Sequence, residues 1–143
     1  MSTSGIKTKS KGILKTVFVF LILSATAIAV DNIYALFGHG VRSASMSFMF
    51  LYPLLGGALI YFLLGMLAPN IAATKRYRLG YNLYNSGIAT LTVGSFFRGI
   101  LDIAGTASAY IKAFMNAGWA FAAAGLITLL AAAIRTRQSA LQS

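Results

Sequence analysis

The 143-residue chain has only two side-chain carboxylates, Asp31 and Asp102, and the second stands one helical turn from an arginine, Arg98. An acid and a base at that spacing in an apolar stretch can lock helices together as an ion pair, bind an ion or solute, or pass a proton. A charge at the centre of a membrane span costs roughly 2.5–3.5 kcal/mol on insertion scales, so such residues generally pair or carry function.

Other chemistry is sparse. His39, within Phe37-Gly38-His39-Gly40, is the one histidine, and there is no cysteine. The absence of cysteine excludes thiol catalysis, and with two acids besides, a conventional zinc site within one chain is not expected. The contexts Val30-Asp31-Asn32 and Leu101-Asp102-Ile103 lack the Gly-x-Gly-Asp pattern of intramembrane aspartyl proteases. No glycine loop leads into Lys-Ser or Lys-Thr to cradle a phosphate. The residues therefore predict a protein with no catalytic site, no metal and no cofactor.

The elements that must position the charges are apolar. A chain that is 58% hydrophobic and 10% charged, with mean hydropathy +0.77, falls outside the range of soluble domains. A bilayer-spanning helix needs about 20 apolar residues, and four such windows occur, roughly 14–35, 44–67, 83–103 and 113–134. The expected fold is an all-α integral membrane four-helix bundle. Residues 1–12 read as a flexible basic tail, 13–137 as one four-span domain and 138–143 as a polar end. Lysines followed by Val17–Leu23 and Ala27-Ile28-Ala29 also resemble a cleaved signal peptide. Apolar character resumes over Ile33–Phe37, long enough to complete a span, which favours an uncleaved helix.

Lys and Arg accumulate in short cytoplasmic segments. Nine of the twelve fall on one side: Lys7, Lys9, Lys11, Lys15, Lys75, Arg76, Arg78, Arg135 and Arg137. Both termini are accordingly expected in the cytoplasm, at the plasma membrane. Lys75, Arg76 and Arg78, beside Tyr77, Tyr81 and Tyr84, read as a lipid-facing basic anchor, and anionic lipid heads are the expected partner of the surplus charge. Nucleic-acid binding is not expected, because the cations are split among three short segments.

Depth along the helices brings the polar residues together. Asp31 and Arg98 each lie about 22 Å past Thr16 and Leu83, counting 1.5 Å per residue. Ser47 and Asn116 meet the same level from the opposite side. Asp31, Ser47, Arg98, Asp102 and Asn116 are therefore expected to form an outer polar layer, with Asp31 and Arg98 as an ion pair. In the third span Gly87, Leu91, Gly94, Ser95, Arg98 and Asp102 share one face, expected to meet protein. Ala89, Val93, Phe96, Ile100 and Ile103 share another, expected to meet lipid. Small residues permit close helix approach, and Gly118, Ala120, Ala122, Ala124 and Gly125 are the expected counterpart in the fourth span. Pro53, Gly56 and Gly57 predict a hinge, with a kink near Met49–Pro53.

The stretches Ser45-Met46-Ser47-Phe48-Met49-Phe50-Leu51-Tyr52-Pro53-Leu54-Leu55-Gly56-Gly57 and Asn82-Leu83-Tyr84-Asn85-Ser86-Gly87-Ile88-Ala89-Thr90-Leu91-Thr92-Val93-Gly94 resemble parts of small, uncharacterised four-helix membrane proteins of Gram-positive bacteria. That resemblance implies a bundle fold and no activity. The functional expectation is a non-enzymatic accessory or assembly component of a membrane complex, formed with itself or with a larger membrane protein. The alternative is a small oligomeric ion or solute transporter or channel that uses the outer Asp/Arg layer.

Overall fold

The computed structural model describes the backbone of residues 3–142 and the side chains of residues 11–142. Every regular element among the described residues is helical: α1 (Thr3–Phe37), α2 (Ala44–Ser47), a π-helical segment (Tyr52–Leu59), α3 (Ile60–Leu67), a 3-10 turn (Ile71–Ala73), α4 (Lys75–Ile103) and α5 (Ala109–Leu141). Three stretches are long and apolar enough to cross a membrane: Lys11–Phe37, Ala44–Leu67 and Ala109–Leu141. The 29-residue α4 has the length, but its Asn, Ser, Thr and Gly residues, with Arg98 and Asp102, make it the least apolar of the four.

Two boundaries differ from expectation. Instead of a flexible tail through residue 12, α1 begins at Thr3. Lysine loses little rotamer freedom in a helix, and each residue added to an existing helix gains a hydrogen bond. Residues 1–2 lie outside the described part. At the other end α5 runs to Leu141, through most of the expected polar end, and residue 143 is outside the described part.

The predicted break in the second span is present, but earlier than Pro53. Residues 48–50 form a turn, closed by Met49 N–H to the Met46 carbonyl at 3.2 Å, Leu51 N–H to Phe48 at 3.1 Å and Tyr52 N–H to Met49 at 3.3 Å. Pro53 then sits in the first turn of the restarted helix, where its missing N–H leaves no bond unmade. Gly57 is buried beneath the Phe20 ring, which a Cβ there would overlap. The Tyr84 hydroxyl donates to the Gly56 carbonyl, so the widened segment is held by its neighbours.

The helices pack in the order α1, second span, α4, α5, and α1 and α4 do not run side by side. Between α4 and α5 the approach is closest. A Cβ at Gly87 would overlap the Ala122 backbone, and one at Gly125 the backbone of Tyr84. Gly87, Leu91, Gly94 and Ser95 are buried on α4 as its periodicity predicts. On α5 the buried residues are Gly118, Ala122, Gly125, Leu129 and Ala132, whereas Ala120 and Ala124 are exposed.

One core cluster joins Ile13, Phe20, Tyr61, Tyr84, Ile88, Leu91, Ala122 and Leu129. Its hub is Tyr61, fully buried, stacked on Phe20 with ring centroids 5.7 Å apart and donating to Asn85 Oδ1 at 2.7 Å. Tyr84 belongs to this core and so packs inside rather than anchoring at an interface, while Tyr81, half-buried, leans on Tyr61 at 5.5 Å. A second cluster gathers Ala27, Met46 and Met49 against Tyr34, Phe96, Ile100 and Ile103. Phe96, Ile100 and Ile103 thus meet protein, contrary to the lipid-facing assignment, because the short α2 folds over that end of α4.

Candidate functional site

The polar residues collect at the end of the bundle where α1 turns into α2. Helix α1 stops as Gly38 N–H bonds the Tyr34 carbonyl at 2.8 Å and Gly40 N–H bonds Ala35 at 2.9 Å. His39 takes a left-handed φ of 53° and Gly40 one of 83°, which reverse the chain; His39 is exposed in this turn. Ser43 then caps α2, its side chain accepting from the Ser45 N–H, a role serine fills well because its oxygen satisfies an orphan helix donor.

This reversal lays Arg42 back along α1. Its guanidinium pairs with Asp31 Oδ2 at 3.1 Å, and its second terminal nitrogen donates to Asn32 Oδ1 at 3.0 Å. Ser47 Oγ donates to the same carboxylate, at 3.2 and 3.3 Å from its two oxygens. The Asp31 carboxylate is buried while Arg42 is half-exposed.

Asp102 forms a second, separate centre. Ser43 Oγ donates to its Oδ2 at 2.7 Å and Ser45 Oγ at 3.0 Å. About two turns earlier on α4, Ser95 Oγ donates to the Ser45 carbonyl at 2.7 Å, a second bond between α4 and the start of α2. Asp102 itself is exposed, so its carboxylate is held by the serines around the start of α2 and open on its other side.

Several expected members of the layer lie elsewhere. Arg98 does not pair with Asp31: among the described residues the one ion pair is Arg42 with Asp31. The reason is the packing order, which puts the second span between the helices that carry Asp31 and Arg98. Arg98 is exposed, one turn from Asp102 on the same helix, and Asn116 is exposed on α5. Ser47 is in the layer as expected. Pro53 and Gly57 are buried and Gly56 is half-buried, all within the π-helical segment, and Lys75, Arg76 and Arg78 are exposed at the opposite end of the bundle.

Arg42, Ser43 and Ser45 are ligands of the aspartates that depth along the helices does not reveal. The available signal is the alternation Ser43, Ser45, Ser47 immediately after Arg42. A loop this short brings such residues back to the last turns of the preceding helix. Among the described residues no group of three or more metal-ligating side chains is found. Comparison with protein-family models, curated proteins and solved structures finds no match.

Proposed function

We propose that this chain is a non-enzymatic four-span protein of the plasma membrane, with both termini in the cytoplasm, that serves as an accessory or assembly component of a membrane complex. The supporting observation is that both aspartates take hydrogen bonds from the chain's own side chains. Asp31 is taken by Arg42 and Ser47, and Asp102 by Ser43 and Ser45. These bonds tie α1, α2 and α4 together through the chain's own side chains. Exposed apolar side chains on every long helix, such as Phe18, Phe62, Val93 and Ile127, suit lipid or a neighbouring membrane helix. Its partner is a larger membrane protein or further copies of the chain.

Reconstitution tests the reading. The purified protein in liposomes is expected to give no ion or proton flux, and extraction in mild detergent to recover it with a larger membrane protein or as a homo-oligomer. A small oligomeric transporter or channel is the second reading, favoured by the open side of Asp102 with Arg98 one turn away. Flux abolished by Asp31→Asn or Asp102→Asn, with no partner co-purifying, would replace the first reading with the second.

A further inference from the structure

The packing order leaves a groove of about 840 Å³ between α1 and α4, floored by Met49 and Pro53 of the second span. Both ends are closed by contacts across it. At the basic end Thr16 Oγ1 meets the Tyr81 hydroxyl at 3.4 Å, and at the other the Tyr34 and Phe96 rings meet edge to face with centroids 6.4 Å apart. The groove's walls are amphiphilic along its length. Lys15, Thr16, Tyr81 and Asn85 line one end, whereas the remainder is mostly apolar, with Val19, Leu23, Val30, Ala89 and Val93; the two threonines there, Thr26 and Thr92, turn their hydroxyls back onto the Ile22 and Ile88 carbonyls of their own helices.

We infer that this groove binds one anionic phospholipid, its phosphate at Lys15 and an acyl chain along the apolar walls. The inference rests on the reading of the chain as a bilayer-spanning protein. From Val19 to Val30 the apolar wall runs about 17 Å by the helical rise, close to half of a hydrocarbon core about 30 Å thick. That is the reach of a lipid tail from one leaflet. A transmembrane helix must cross both leaflets, and the Tyr34–Phe96 contact blocks its way. Charge selects the headgroup. Lys15 is exposed and has no acidic partner, since among the described residues the one ion pair is Arg42 with Asp31. A second copy in the same orientation brings no acidic side chain to it, because Asp31 and Asp102 are the only two and both lie at the opposite end.

The test is native mass spectrometry of the full-length protein, delipidated in mild detergent and then offered phosphatidylglycerol, phosphatidylcholine or inorganic phosphate. One phosphatidylglycerol per chain is expected to be retained, preferred over phosphatidylcholine by about fivefold, the selectivity that one cation near a membrane surface supplies. Lys15→Glu should remove the preference, and Ala89→Trp, which fills the groove at an exposed position, should lower retention of both lipids. Lys75→Ala with Arg76→Ala should change neither. Equal retention of the two lipids by the unaltered protein would overturn the inference, as would displacement by inorganic phosphate or loss of preference in the Lys75/Arg76 variant. A photoreactive residue replacing Val93 should label lipid in membranes; labelling of a protein helix there would also overturn it. These readouts need no partner and no flux, so they stand apart from the test of the accessory role.

Discussion

Asp31 and Arg42 stand 3.1 Å apart across the turn that joins the first two membrane-length helices, the carboxylate buried and the guanidinium half-exposed. The pair closes a short reversal of the chain, and Ser47 completes the carboxylate's shell from α2. A charge-assisted bond of this kind keeps a buried acid from being stranded without a counter-charge.

Arg42→Ala should therefore destabilise the protein by about 1–3 kcal/mol, the range for leaving a buried polar group short of its partner. Arg98→Ala, at an exposed position, should stay within about 0.5 kcal/mol. Thermal unfolding in detergent measures both. In an Asp31→Ala background the Arg42 effect should shrink, while additive effects would show that the pair contributes nothing.

Ser43→Ala removes two things at once, the cap of α2 and the 2.7 Å bond to Asp102. A loss of about 1 kcal/mol is expected from the cap. Ser45→Ala leaves that cap side chain in place and should cost less. Equal losses for the two variants would mean that the cap does not matter.

Gly87→Leu and Gly125→Leu should be among the most damaging single changes in the molecule. Each side chain would meet backbone of the facing helix, which cannot move aside as a flexible side chain can, and overpacking costs about 1–3 kcal/mol or more. Gly12→Leu, with open space around its Cβ position, is the control and should extract and melt like the unaltered protein.

Orientation can be read from exposed positions at the two ends. His39→Cys should react with a membrane-impermeant thiol reagent in intact cells, whereas Ser139→Cys should require permeabilisation. The reverse pattern would invert the proposed topology. Amino-terminal sequencing completes the experiment, since a mature chain beginning at Val30 would make the first apolar segment a signal peptide.

Helical class, three of the four expected membrane-length apolar segments and the small-residue face of α4 were legible in the sequence, because each depends on composition or on the 3.6-residue period within a single helix. Gly87, Leu91, Gly94 and Ser95 are buried where that period puts them. Lateral order was not legible. Lipid and neighbouring helices are equally apolar surroundings, so an apolar residue does not encode which of them it faces; Phe96 and Ile100 meet a protein core for this reason. Depth along a helix correctly brought Ser47 to Asp31, but depth is one coordinate of three. Only the tertiary structure decided that the second span separates α1 from α4, which gives Asp31 to Arg42, leaves Arg98 exposed and opens the groove above Pro53.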